Sequence, residues 1–406
     1  MQRRLTFIRN LFLFYCLFST CTSCSEDIPE FNNDWDEDVY YFAKNLEENH
    51  ANLFHKISKS EFERDIKTLR DSTVVFSEKR ILLELGKIIG KIGDSHTQLQ
   101  YLPRLDVFPF EVTYFDDGIY LTKVQEGFEG GLGRKVVEIY GIPIEEVLEL
   151  FKAYIPYENE SNFKNQVVQY IPFGTFYPYH YGFEGIDLLE VEVENLLHLV
   201  LPRGPGNLIE LSTDRTPLFL EDTETFYWHR IIPEDNLLFI QYNSCRERSD
   251  LSFETFTDHI DEDIQNNTEI NKLVIDLRHN GGGNSSIMKP LIEKLESYIS
   301  DGRFTKEDIY LVIGRKTFSS ALLNTLEIKE KIDPIIMGEP TGGKPDHFGE
   351  IKTFLLPNSK LKVYYSTKYF ENASTDEDSV YPDLEIPYTS QDFISGIDPV
   401  LEEIIK

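Results

Sequence analysis

Three groups of residues in this chain have the types and spacing needed for chemistry at a carbonyl carbon. The first is "LVIDLRHNGGG", Leu273 to Gly283, where an apolar run meets Asp276 and Arg278 and then three glycines in a row. Glycine is costly in chain entropy, so a run of it after a buried strand needs a use. Backbone N–H groups with no side chain in the way can cradle a phosphate at a helix N-terminus, or they can hold a developing oxyanion. No Lys with Ser/Thr follows the glycines in P-loop fashion, and the dinucleotide fingerprint is missing. The oxyanion use requires a nucleophile nearby.

The second group offers one. "GRKTFSSALLNTLEI" puts Ser319 and Ser320 where a strand gives way to a helix. A serine at such a junction projects its hydroxyl out of the core, and the next N–H points the same way. The commonest use of Thr317 or Ser319 there is helix capping, and "TFSSA" alone does not decide between the two. The third group is a set of polar and titratable residues: Ser95 and His96 in "GDSHT", Lys344 in "GEPTGGKPDHFGE" with His347 close by as a subsite-shaping or structural residue, and Asp376 and Glu377 ahead of "DSVYPDLEI". Histidine titrates near neutrality unaided. Lysine must be desolvated or set beside positive charge, and 70 acidic against 40 basic residues favour keeping Lys344 charged. His96, oriented by Ser95 or by the acidic group, is the preferred base; Lys344 stays open as the alternative.

These residues need a frame. Beyond "PRGPGN" the chain alternates strand and helix. Strands are predicted over Leu237–Asn243, Lys272–Leu277, Ile309–Gly314 and Pro334–Met337, with helices over Ser252–Gln265, Ser286–Ile299 and Ser320–Glu330. Helices crossing between continuous apolar strands make an α/β core. Upstream, Asp34 to Ile92 reads as helical. Ser77 is an N-cap, Ile81, Leu82, Leu85, Ile88, Ile89 and Ile92 share one face, and Gly93 stops the helix, leaving "DSHT" in a loop. Val107 to Lys152 has the texture of short strands, and "GLGRKVVEIYGIPIEEVLELF" looks like the strand–turn–helix part of a PDZ module. The aromatic-rich stretch Ala153–Leu201 receives no assignment.

Taken together and in order, "GDSHT", "VIDLRHNGGG", "TFSSA", "GEPTGGKPDHFGE" and "DSVYPDLEI" resemble the tail-specific, or C-terminal processing, serine peptidases and their tricorn-core relatives. The resemblance runs from about Lys91 to Pro387. It implies a crotonase-like (ClpP/crotonase-type) α/β core with an N-terminal helical segment and a PDZ-like middle module. It also implies Ser319 as nucleophile and the N–H groups of Gly282 and Ser320 as oxyanion donors. Lys344 matches the base of the processing peptidases. Ser95 and His96, completed by an acid at Asp376, match the tricorn-like set. Asp376 stands where that set has a glutamate, one methylene shorter, and "EGGLGRK" lacks an apolar carboxylate-binding loop. The implied activity is a serine endopeptidase or processing peptidase working through an acyl-enzyme on peptide or protein substrates. The rival is a catalytically silent peptide- or lipophile-binding envelope lipoprotein on the same fold.

The N-terminus begins with Arg3, Arg4 and Arg9, then an apolar run from Leu11 to Phe18, then "CTSC". This is the layout of a secretory signal, and it resembles a lipobox with Cys24 as the lipidated residue and Cys21 as the alternative. The expected division is a lipoprotein signal peptide over 1–23, a tether over 24–33, a helical domain over 34–97, a PDZ-like, β-rich region over 98–201 and the catalytic α/β core over 202–406. The expected place is the cell envelope, lipid-anchored, either periplasm-facing or surface-exposed on the outer membrane. With Cys24 acylated, Cys245 is the one cysteine left in the mature chain, so no internal disulfide forms; its place in an alternating strand reads as a buried thiol. A formal charge of -30 argues against phosphate-mediated nucleic-acid binding. No HExxH occurs, the C-x-x-C spacing falls in the signal region at Cys21 and Cys24, and His50 and His55 are five apart, so neither metal nor cofactor is expected. Oligomeric state is left open.

Overall fold

The computed structural model describes residues 30–183, 185–372 and 376–406. The signal segment, Cys21 and Cys24 lie outside the described residues. Among those described, no helix is long and apolar enough to cross a membrane.

Three helices open the chain, Asp34–Asn49, Lys59–Ser72 and Glu78–Ile92. Each starts on a side-chain cap, with Asn33, Ser58 and Ser77 accepting the N–H of Asp36, Glu61 and Arg80, which satisfies an otherwise orphaned donor. The third helix buries all six expected apolar residues and ends at Gly93, whose φ of 71° suits glycine. The loop Asp94–Thr97 leaves the helix at that point.

The middle region contains two small sheets. One pairs Phe110–Phe115, Gly118–Gln125 and Leu208–Glu210; the other has Val136–Ile139, Leu188–Val193 and Leu197–Pro202 with the short Ile142–Pro143. Because Leu208–Glu210 pairs with Gly118–Gln125, this region runs past the expected boundary at 201. The unassigned stretch holds helices Glu160–Tyr170 and Phe176–His180 before the two strands.

The α/β core is a six-stranded sheet in the order Leu384–Glu385, Ile335–Gly338, Ile309–Ile313, Lys272–Asp276, Leu237–Tyr242, Tyr227–Ile232. All pairs are parallel except the last. Alternate residues go to opposite faces. Leu238, Ile240, Leu273, Ile275, Leu311 and Ile313 pack under helices Phe253–Asn266, Lys289–Ser300 and Ser320–Lys331. Leu237, Phe239, Val274 and Val312 pack against Phe219, Val400 and Ile404 on the other side. Both faces are therefore dry, which explains the unbroken apolar strands seen in the sequence. The expected helix from Ser286 begins instead with a 3-10 turn, Ser285–Met288, and becomes α-helical from Lys289; Pro290 at its N-terminus lacks the N–H that would have continued the earlier turn.

One excursion breaks the expected domain order. The hairpin His347–Leu355/Lys362–Phe370 leaves the core and pairs with Gln98–Leu99. Its Val363 and Tyr365 are buried in the same cluster as the N-terminal helices. The helical segment, the middle region and this hairpin thus share one core, and the histidine loop is held against the α/β sheet.

Candidate active site

Lys272–Asp276 ends in the glycine loop, and Arg278 anchors that end. Its guanidinium bonds the buried Asp276 at 2.6 and 2.9 Å and grips Asp398 at 2.7 and 3.0 Å. Burial works to lower the Arg278 pKa, but the charges of Asp276 and Asp398 outweigh it and hold the guanidinium protonated. Asn280, fully buried, shapes the loop. Its Nδ2 donates to Tyr242 O at 2.9 Å, its Oδ1 accepts Gly282 N–H at 2.9 Å and Cys245 S–H at 3.4 Å, and its own carbonyl accepts Phe318 N–H at 3.1 Å. Burial pushes the Cys245 thiol up to about 11, so it is inert at neutral pH.

The two loops meet. A Cβ on Gly282 would lie 2.8 Å from Ser319 Cβ and 3.0 Å from Ser320 N, and one on Gly283 would lie 2.2 Å from Cys245 O. Gly282 and Gly283 have φ of 105° and 140°. Only bare backbone fits here, which answers why the strand ends in glycines.

Ser319 follows the strand Ile309–Ile313 and immediately precedes the helix Ser320–Lys331. Its φ of 53° and ψ of -123° are strained for a side-chain-bearing residue, the geometry of a sharp strand-to-helix turn. Although it stands at the N-cap position, its side chain makes no capping bond. Thr317 is structural: its hydroxyl donates to Leu277 O at 2.9 Å and accepts Gly314 N–H at 3.0 Å. The Ser320 hydroxyl donates to Gly283 O at 2.7 Å, while its N–H, first in the helix, has no intrahelical acceptor.

One expectation is corrected here. The Gly282 N–H is turned into Asn280 Oδ1 and is not available to an oxyanion. The glycine contributes close approach, and the Ser320 N–H is the free helix-start donor beside Ser319.

His96 reaches the serine loop from the other side. Its ring stacks on Phe318 with centroids 4.5 Å apart and lies 5.8 Å from the ring of His347. It is 5% exposed, and neither ring nitrogen has a hydrogen-bond partner among the described residues. Nδ1 faces Glu158 Oε1 at 3.8 Å and Asp94 Oδ1 at 3.9 Å. Asp94 fixes the loop: Oδ1 accepts His96 N–H at 2.9 Å, and Oδ2 accepts Thr97 Oγ1 at 2.6 Å and bonds His50 Nε2 at 3.0 Å. His50 is thus buried and structural. Burial works to raise the Asp94 pKa, yet the bond to His50 and the neighbouring groups bring it down to about 2.

The acid near the histidine is Glu158. Ser95 Oγ donates to its Oε1 at 2.6 Å and Lys344 N–H to its Oε2 at 3.2 Å. Asp376, expected in this role, has a side chain 92% exposed and instead pairs with Lys344 Nζ at 2.7 Å. That bond, against a smaller effect of burial, raises the Lys344 pKa, which favours the charged ammonium over a free base. The "DSV" segment acts indirectly. Asn159 Nδ2 donates to Thr341 O and Ser379 Oγ, and Val380 N–H donates to Thr341 Oγ1. These bonds clamp the "TGGK" loop and hold the neighbouring Glu158 in place. The sequence carried no signal for Glu158, one of several acids in the unassigned stretch.

Asp94, His96 and Glu158 also present donor atoms within 4.8 Å of one another, close enough to share a cation, though each carboxylate already accepts the hydrogen bonds described. His347 Nδ1 lies 3.1 Å from Pro345 O, and burial lowers its pKa.

The fold that carries these residues has counterparts among solved structures. The fold is that of CPAF. Mature CPAF complexed with lactacystin superposes with a TM-score of 0.62 at 13% identity, over 92% of this chain and 97% of CPAF; mature CPAF alone gives 0.61 at 13%, over 92% and 96%. The tricorn protease is a looser match, with a TM-score of 0.45 at 14% identity over 91% of this chain and 36% of that one. No family model and no curated protein matches the sequence. At 13% identity the likeness to CPAF is one of mixed α/β architecture.

Proposed function

We propose that this chain is a serine-type peptidase that hydrolyses peptide bonds through an acyl-enzyme on Ser319. The observation that carries this reading is the strained Ser319, whose hydroxyl does no capping and which sits against Gly282 next to a histidine with unpartnered nitrogens. A serine kept for stability would cap its helix, and a histidine kept for stability would be hydrogen-bonded.

In this reading the two ring nitrogens of His96 have separate roles. Nδ1 faces Glu158 and Asp94, which favours a proton on Nδ1 and leaves Nε2 as the acceptor for the Ser319 proton. Ser319 Oγ then attacks the substrate carbonyl, Ser320 N–H stabilises the oxyanion, and the histidinium returns its proton to the leaving amine. Water repeats the sequence to release the acid. The Nδ1-to-Glu158 gap must shorten by about 1 Å to become a charge-assisted hydrogen bond, and substrate-driven tightening of this kind is common. We further propose the crotonase-like description for the α/β core, the PDZ-like description for the middle region, and envelope anchoring through Cys24.

Incubation of the purified protein with a fluorophosphonate probe tests the central claim. Labelling of the wild type and none of Ser319→Ala is expected. An unlabelled but folded wild type would favour the silent binding-protein reading.

A further inference from the structure

Beside Ser319 lies a cavity of about 570 Å³, bounded by Ser95 on the histidine side and by Gly281 and Phe318 on the glycine and serine loops. Its lining is unusual for this chain. The protein carries 70 acidic and 40 basic residues, yet not one lining residue is acidic. Six are amides, and the one charged side chain is Lys316.

Lys316 stands three residues before Ser319 and is exposed. Among the described residues it has neither an ion pair nor a hydrogen bond, whereas Lys344 nearby is paired with Asp376. In so acidic a chain, an unpaired cation next to a nucleophile does not reflect a shortage of carboxylates. The amides differ in their freedom. Gln98 donates to Ser95 O and Gln166 to Pro156 O and Asn162 Oδ1, so both are held in place. Gln100, Asn165 and Gln169 have no side-chain hydrogen bond among the described residues; Gln100 and Gln169 are exposed and Asn165 is partly buried. An amide both donates and accepts, so these three suit an extended peptide backbone.

We infer that this cavity receives a substrate segment bearing a carboxylate, which Lys316 holds within a few residues of the scissile bond. The carboxylate is either an Asp/Glu side chain or the free C-terminus of the substrate; the chemistry at Lys316 is the same. The inference rests on the peptidase reading. The chain's overall negative charge does not forbid it. At physiological salt the screening length is about 8 Å, so the nearest charge governs once the peptide is seated. A solvent-accessible ion pair of this kind gives roughly a 1.5- to 5-fold preference.

Matched internally quenched peptides with Glu, Gln or Lys scanned on either side of the scissile bond, all amidated, provide the test. A Gln peptide with a free C-terminus is the second arm. In wild type, kcat/KM is expected to fall in the order Glu, Gln, Lys if the side chain is read, or to rise only with the free C-terminus if the chain end is read. Lys316→Met should flatten the preference and Lys316→Glu should invert it. Fluorophosphonate labelling of each variant at the wild-type rate shows that the reaction centre is intact. The same peptides are titrated onto Ser319→Ala by fluorescence anisotropy, so the preference is measured even if nothing is cleaved. A labelled enzyme with no preference for a carboxylate, or one whose preference survives Lys316→Glu, overturns this inference and leaves the peptidase reading standing. An unlabelled protein that still binds carboxylate peptides through Lys316 does the reverse.

Discussion

The serine side and the histidine side of the site are built differently. On the serine side, Asn280 joins the glycine loop, Cys245, Tyr242 and the Phe318 amide, and Thr317 ties the turn back to Leu277. Every strut is a hydrogen bond of ordinary length, and the strained Ser319 is over-determined by its surroundings. On the histidine side the loop is equally well held, with Asp94 accepting three bonds, but the ring is not. His96 is positioned by stacking on Phe318 and His347, and Glu158 lies one bond length too far away. In the proposed mechanism, nucleophile and oxyanion donor are therefore preorganised, while the base has slack for substrate to take up. Four experiments would break or sharpen this contrast.

The largest effect belongs to the base. His96→Ala should lower kcat/KM on a good peptide by about 10²- to 10⁴-fold, whereas Lys344→Ala, which removes a charged lysine already paired with Asp376, should change it little. Steady-state kinetics on the two variants decide the matter. A dead Lys344→Ala beside an active His96→Ala would transfer the base to lysine. Next comes Gly282→Ala on the preorganised side. The added Cβ would sit 2.8 Å from Ser319 Cβ, at a φ of 105° that disfavours it, so the elbow must shift. A loss of about 10²- to 10³-fold, the scale of a missing oxyanion donor, is expected with the fold retained by circular dichroism. Activity near wild type would mean that the serine loop is not rigid.

The third experiment sets Glu158 against Asp376. Glu158→Gln weakens the group that the ring must approach and should reduce kcat by up to ~10²-fold; it should also alter the pH–rate profile, which a merely structural change would leave alone. Asp376→Asn should be close to silent. The reverse outcome would show that the 376 segment moves onto His96 during turnover.

What the sequence revealed, and what it hid, follows the same division. Ser77 and Gly93 marked a helix to the residue, because caps are local chemistry. The sheet strands were legible because burial on both faces leaves no polar alternation. The glycine–serine meeting was legible because only glycines tolerate that approach. Glu158 was hidden: it bonds Ser95 across 63 positions from a stretch with no hydrophobic period. The direction of the Gly282 N–H was hidden too, since the Asn280 side chain sets it and no spacing rule encodes that. Asp376 shows the opposite error, a residue at a matching offset whose side chain is left in solvent.

The smallest effect concerns the anchor of the histidine loop. Asp94 is buried, and its bonds to His50, Thr97 and the His96 amide hold its pKa at about 2, against about 3.9 in an unfolded chain. The unfolded state therefore binds more protons between these values, so the stabilisation is complete above about pH 4 and is lost as pH falls through about 2. The difference corresponds to about 2 kcal/mol. Urea unfolding of wild type and Asp94→Asn at pH 5, 4, 3 and 2 should show a stability gap that narrows by about this amount toward the acid end. A gap independent of pH would mean that the loop is fixed by its backbone and not by the carboxylate. The slack assigned to the ring would then have to extend to the loop that carries it.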